Sequence, residues 1–207
     1  MNACLIAIVG GSGSGKSWLA DRLQQEFRQV AGRLCLDDYY QDLSHLPPAE
    51  RKQMNFDQPK AIDWPRFRGD LALVRAGQAA ALPAYDFATQ SRSRRKRLWE
   101  PRELVFIDGL WLLHYAAVRR LFSLSVYVEC SETLRFKRRL KRDQRERGWT
   151  APEIRRQFQT QVEPNHRRFV APQKEMADLV VDSPIAAGPL RQIITRCRKF
   201  LPVGGLS

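Results

Sequence analysis

Residues 10–17 read Gly-Gly-Ser-Gly-Ser-Gly-Lys-Ser and follow directly on the apolar run Leu5-Ile6-Ala7-Ile8-Val9. The spacing G-x-x-x-x-G-K-S constrains this chain more than anything else in it. Glycines let backbone N–H groups close around phosphate oxygens, where a side chain would block the approach. Lys16 brings a cation to the β- and γ-phosphates, and the Ser17 hydroxyl is a ligand for Mg²⁺. The run before the octet suits a buried parallel strand. Residues 18–29 place Leu19, Leu23 and Phe27 on one face of a helix, whose N-terminus adds its own attraction for anions. Strand, glycine loop and helix in that order predict a bound nucleoside triphosphate, held by Gly10, Gly11, Ser12, Gly13, Ser14, Gly15, Lys16 and Ser17.

Strand and helix signals alternate through the rest of the 207 residues. They predict an α/β fold: a P-loop NTPase-type parallel sheet flanked by helices, with a small β-hairpin and a helical lid. Strands are expected at 32–36, 104–107, 124–129 and 177–181, and helices at 64–76, 131–147, 152–162 and 190–200, with a short helical patch at 49–54. Residues 77–83 read as a break. Ser131 and Gly148 bracket the basic helix as its caps. The length predicts one domain, with a hairpin insertion around 82–98 and a lid around 135–160.

No apolar stretch is long enough to span a membrane. Cys4, Cys35, Cys130 and Cys197 show no C-x-x-C spacing, which argues against a zinc site or a disulfide frame. A cytoplasmic, reduced chain is expected. The net charge of +13 would serve a polyanionic substrate such as ATP, the remainder being a solvated surface. No RNA-binding motif, zinc finger or DNA-reading helix is present, so neither nucleic acid nor membrane is expected as a partner.

Three further groups carry chemistry. Asp108, at the end of the run 104–107, stands where a second Mg²⁺ ligand belongs, because ligands gather at the carboxyl ends of parallel strands. Asp37 and Asp38 end another strand at that same edge, where a carboxylate can take the proton of an attacking hydroxyl. Spacing alone leaves a general base and a turn-forming pair evenly matched. Arg135, Arg138, Arg139 and Arg142 share one helix face, a row able to clamp a transferring phosphoryl group. Asp143 and Glu146 read as partial neutralisation of that helix. His45, His114 and His166 read as isolated, and Trp64, Trp99, Trp111 and Phe106 as packing.

From about Leu5 to about Val181 the residues resemble the uridine (uridine–cytidine) kinases, within the group that includes phosphoribulokinases and nicotinamide riboside kinases. Leu36-Asp37-Asp38-Tyr39-Tyr40 is similar to that family's Asp-Ser-Tyr-Tyr segment, and Asn55-Phe56-Asp57-Gln58-Pro59 to its Asn-Phe-Asp-His-Pro segment. Residues 83–92 are similar to Pro-x-Tyr-Asp-Phe-x-Thr-His-Ser-Arg, and Arg138–Asp143 with Glu146-Arg147-Gly148 to the arginine-rich lid. The resemblance implies ATP as phosphate donor with Mg²⁺, and transfer to the 5′-hydroxyl of uridine or cytidine. It implies Asp37 as general base, with Lys16, Arg139 and Arg142 offsetting the developing charge. Asp57, Tyr85, Gln90, Arg147 and Gln157 would contact the nucleoside, and the protein would be a homo-oligomer. Gln90 and Gln58 stand where the family has histidines, and Trp149 where it has an arginine; Asp182-Ser183-Pro184 replaces a Gly-rich stretch. The rival readings are a related small-alcohol kinase, acting on nicotinamide riboside or a sugar phosphate, and a non-catalytic ATP-binding or nucleic-acid-binding protein.

Overall fold

The computed structural model describes residues 2–51, 54–87 and 89–202, the side chains of 48, 49 and 147 excepted. Residues 52–53 of the expected helical patch, Ala88 of the hairpin segment and residues 203–207 of the tail lie outside the described residues.

The chain enters through β1 (Cys4–Gly10), turns through the glycine loop into α1 (Lys16–Glu26) and returns along β2 (Ala31–Cys35). A 3-10 turn (Leu36–Tyr39), the short α2 (Pro48–Arg51) and α3 (Trp64–Arg75) follow. Then β3 (Ala80–Leu82) pairs with β6 (Arg97–Trp99), outside an inner hairpin of β4 (Tyr85–Asp86) and β5 (Ser91–Arg92). The chain resumes the sheet with β7 (Leu104–Gly109) and, past α4 (Ala116–Arg119), β8 (Leu124–Glu129). The long α5 (Glu132–Arg147) leads to α6 (Ala151–Gln157), a π-helical turn (Phe158–Val162), the brief α7 (Glu163–Asn165), a second π turn (His166–Val170) and a 3-10 stretch (Ala171–Met176). β9 (Leu179–Asp182) and α8 (Ala187–Arg198) complete the fold.

The sheet has the order β2-β7-β1-β8-β9 and every pairing in it is parallel. Both faces are covered, which is why its strands read as nearly unbroken apolar runs. On one face Ile6, Ile8, Leu104, Phe106, Val126 and Val128 pack with Leu19, Leu23 and Phe27 of the α1 region and Ile193 and Cys197 of α8. On the other, Leu5, Ala7, Val9, Val105 and Ile107 pack with Phe67, Leu71 and Val74 of α3 and with Trp111. The expected stripe of α1 is thus its buried face, and each such side chain contributes about 1.5–3 kcal/mol. Ser131 caps α5 by accepting from the Leu134 N–H, and Gly148 ends it at φ 67°, a left-handed conformation that glycine adopts without steric penalty.

Two expectations change. Residues 77–83, read as a break, contain β3, a strand too short to show a period. The helix expected over 152–162 keeps α geometry only to Gln157 and runs on through π and 3-10 turns to Met176, a stretch beyond Val162 for which no element was expected.

Candidate active site

Strand register assembles the site. Asp108 of β7 lies opposite Ile8 of β1 and opposite Cys35 of β2. The three strands therefore release the glycine loop, Asp37 and the end of β7 at one edge of the sheet, where parallel α/β folds bind ligands.

The glycine loop is held from inside and outside. Gly13 and Gly15 have φ values of 81° and 101°, and a Cβ on Gly13 would come within 2.6 Å of the Arg135 carbonyl oxygen. Lys16 is buried, and the Ser17 hydroxyl donates to Asp108 Oδ2 at 2.7 Å. Asp108 is fully buried, and its Oδ1 accepts from Arg33 Nε at 3.0 Å and Nη2 at 2.9 Å. Arg33 also pairs with Asp21 of α1. Burial works against the Arg33 charge, but the charge and hydrogen bonds of Asp108 outweigh it and hold its pKa above the usual value. The neighbouring Ser17 and Asp108 oxygens are hard donors of the kind Mg²⁺ takes, and one carboxylate with substrate phosphates is its common set. Among the described residues no cluster of three or more His, Cys, Asp or Glu forms a metal cage of its own.

The arginines of α5 do close on the loop, but in different roles from those a solvated row would have. Arg135 is buried, pairs with Glu163 at 2.7 Å and donates to the Cys130 carbonyl. Arg138 Nη1 donates to the carbonyls of Gly13 and Ser14 and to Ser183 Oγ. Arg139 donates to Ser12 Oγ at 2.9 Å and Gln157 Oε1 at 2.7 Å. Asp143, read from sequence as partly neutralising the helix, pairs with both Arg139 and Arg142 and does so fully buried, which makes it the anchor of the arginine row. A cavity of about 580 Å³ separates loop from helix, walled by Lys16, Trp18, Arg138, Arg142, Pro184 and Ile185. Its size suits a nucleotide-sized ligand. Arg147 occupies the last turn of α5, with its side chain outside the described residues.

Across the sheet edge, Asp37 lies half-buried in the 3-10 turn after β2. Its neighbour plays a different part, since Asp38 Oδ1 accepts from the Tyr85 N–H at 3.3 Å, tying the hairpin to that turn. Burial raises the Asp38 pKa, partly countered by this bond. Asp38 is thus engaged in a structural contact with the hairpin.

Four rings gather beside it. Tyr40 meets Phe56, Tyr85 and Phe87 at centroid distances of 5.4, 5.2 and 6.4 Å, and Tyr85 meets Phe87 at 5.3 Å. Tyr40 and Phe56 were not singled out from sequence as site residues; their signal was their place beside the candidate acids Asp37 and Asp57. The Tyr85 hydroxyl is buried with no hydrogen-bond partner among the described residues, and burial pushes its pKa up to about 12. Gln90 follows in the hairpin turn at φ 51°, a left-handed conformation that costs a non-glycine residue about 1–2 kcal/mol.

Asp57, set by its own N–H donating to Asn55 Oδ1, lines a small cavity with Ser12 of the glycine loop and His166. His166 therefore departs from its reading as isolated, although nothing in a lone histidine would have signalled it. Burial, reinforced by the Arg135 charge, pushes its pKa down to about 4. Gln157 meets Arg139, at the junction of the two halves.

The fold and the loop define a P-loop nucleotide-binding protein, and its relatives make it an ATP-dependent phosphotransferase. More particularly, the chain belongs to the Phosphoribulokinase / Uridine kinase family, whose model matches residues 5–186. It is 38% identical over 182 residues to the uridine kinase of Chloroflexus aggregans, covering 86% of each chain. It is 33% identical over 181 residues to the uridine kinase of Staphylococcus haemolyticus, covering 87% of each. Among solved structures, phosphoribulokinase from Rhodobacter spheroides superposes with a TM-score of 0.66 at 15% identity, over 87% of this chain and 70% of that one. D-glycerate 3-kinase from Cryptococcus neoformans superposes at 0.65 and 16%, over 89% and 88%. At those identities the likeness is one of fold. Among the described residues no helix is long and apolar enough to cross a membrane.

Proposed function

We propose that this protein is a nucleoside kinase that transfers the γ-phosphoryl group of ATP to the 5′-hydroxyl of uridine or cytidine. The observation that carries the reading is the meeting, at one sheet edge, of the glycine loop with a half-buried Asp37 and a four-ring box beside Asp57. A nucleoside presents a flat base, a cis-diol and a primary hydroxyl. The rings of Tyr40, Phe56, Tyr85 and Phe87 match the base, and the Asp57 carboxylate matches the diol as a double acceptor. Gln90 offers both a donor and an acceptor to the pyrimidine edge. Arg147 and Gln157 complete the acceptor contacts in this reading.

In the reaction Asp37 takes the proton as the 5′-oxygen forms its bond to Pγ and the bond to the β-phosphate oxygen breaks, leaving ADP. General-base help of this kind is worth about 10²–10⁴-fold in rate. Lys16, Arg139 and Arg142 stabilise the charge spreading over the phosphoryl oxygens. Ser17 and Asp108 would hold Mg²⁺, which would supply charge neutralisation to the transferring phosphate.

The deciding experiment is incubation with Mg·ATP and a panel of nucleosides, nicotinamide riboside and sugar phosphates, read by mass spectrometry. New UMP or CMP is expected. Phosphate appearing only on another alcohol would move the protein to the small-alcohol kinases, and nucleotide binding with no phosphorylated product would sink the kinase reading of the acceptor site.

A further inference from the structure

Between Asp57 and the glycine loop lies a cavity of about 10 Å³, lined by Ser12, Asp57, Leu110, Trp111, Val162, His166 and Val170. That is room for one water-sized group. Two polar atoms of its lining residues are buried with no partner among the described residues: His166 Nδ1 and Trp111 Nε1. Both atoms belong to residues that line this one small cavity, and a group seated in it would give the two a common partner. The indole N–H can only donate, whereas an imidazole nitrogen without a proton accepts. A single O–H group satisfies both at once, accepting from Trp111 and donating to His166.

We propose that this cavity is a binding site for one hydroxyl-type oxygen, and that His166 is the positioning residue that holds it between the acceptor-binding Asp57 and the glycine loop. This rests on the reading of Asp57 as an acceptor contact. The chemistry is shared by an ordered water and by a hydroxyl of the acceptor.

The surroundings suit His166 to this role. Its ring is pressed onto the loop: a Cβ on Gly11 would come within 2.8 Å of His166 Nδ1 and within 2.9 Å of Arg135 Cδ. Burial and the charge of Arg135 keep the ring neutral at physiological pH, against the opposing charges of Glu163 and Glu129. In the neutral ring the tautomer with its proton on Nε2 leaves Nδ1 as an acceptor, and that is the tautomer this site requires. Ser12 Oγ already accepts from Arg139, so its hydroxyl proton remains as a further donor to the same oxygen. A group seated there joins Asp57 to the loop that carries the phosphate donor.

Two readouts test the site. The first is a crystal structure of the wild-type protein, alone and with uridine, at a resolution that shows ordered water. One oxygen within hydrogen-bonding distance of His166 Nδ1 and Trp111 Nε1 is expected; if it stays when uridine binds it is water, and if a sugar oxygen takes its place it is the acceptor's. A dry cavity in both crystals would overturn the proposal. The second is kinetic. His166→Phe fills the space and removes the acceptor atom, and should raise the nucleoside KM about tenfold while the ATP KM stays within about twofold. His166→Asn restores an amide and should recover most of that loss. An unchanged nucleoside KM in folded His166→Phe, or equal losses for both substrates in both variants, would defeat it. Should His166→Phe not fold, His166→Asn and the crystals decide. If the wild-type protein phosphorylates no nucleoside, the acceptor reading falls, while the oxygen in the unliganded crystal still decides the site.

Discussion

The two halves of the site are built on different physics. Around the glycine loop, charged groups hold one another: Ser17 and Arg33 converge on Asp108, and Arg139 and Arg142 on Asp143. Each bond has a direction, and the acids involved are buried, so this half has one arrangement. Around Tyr40, Phe56, Tyr85 and Phe87 the contacts are tilted and edge-on ring pairs, worth only about 0.5–1.5 kcal/mol each beyond their burial. The half proposed to hold the phosphate donor is fixed by paired charges, and the half proposed to hold the acceptor rests on less directional ring contacts. Substitutions that alter which alcohol is accepted therefore belong in the second half, where Gln58 and Gln90 depart from the resembled pattern.

Breaking each half should show this contrast. The largest effect is expected from Asp37→Asn, which removes the proton acceptor of the proposed mechanism. Turnover should fall about 10²–10⁴-fold with ATP affinity nearly intact, and unchanged single-turnover phosphorylation would remove Asp37 from the mechanism. Asp143→Asn leaves the buried Arg139 without its counter-charge and should lower stability by about 3–5 kcal/mol, measured by urea unfolding. A loss under about 1 kcal/mol would mean the arginine row does not depend on it.

Acid should strike the junction of the halves. The His166 pKa is about 4 in the folded protein and about 6.5 in an unfolded chain. Between these values the unfolded state binds the extra proton, so stability falls as pH drops from about 6.5 toward 4, by about 3 kcal/mol in all. Burial opposes the Glu163 charge, but hydrogen bonds from Arg135 and Arg167 outweigh it and hold its pKa low, which adds loss in the same direction at lower pH. Unfolding midpoints compared near neutrality and near pH 5 should differ, and His166→Phe should flatten the difference.

Smaller effects belong to the aromatic half. Phe56→Ala should raise the nucleoside KM about tenfold and leave the ATP KM alone; a matching rise in both would mean the box is not a separate acceptor pocket. Gln90→Gly relieves the left-handed φ and should stabilise the fold by about 1 kcal/mol or less, while shifting the uridine-to-cytidine preference if Gln90 reads the base.

What was legible in advance follows from the range over which each signal acts. β1, β7, β8 and α1 announce themselves because a residue's neighbours along the chain are also its neighbours in the core. The close of β7 near Asp108-Gly109 and the caps of α5 are local events, and they were visible for that reason. That Asp143 neutralises the arginines of its helix was legible from their spacing; that it does so fully buried was not, because burial depends on elements distant in sequence. Tyr40 and Phe56 stand sixteen residues apart and become one box only when the hairpin folds over them. His166 was illegible on its own, since its meaning comes from Gly11, 155 positions away.

The two π turns after α6 have a geometric consequence. Ile154, Phe158, Val162, His166 and Val170 follow one another at intervals of four, and all but His166 are fully inside. In an unbroken α-helix a step of four overshoots a full turn by about 40°, so such a row would wind away around the cylinder. The wider π turns, with their i→i+5 bonds, take that excess back. The row becomes a straight seam along one side of the rod, and at one tread of that seam an imidazole stands in place of a hydrocarbon.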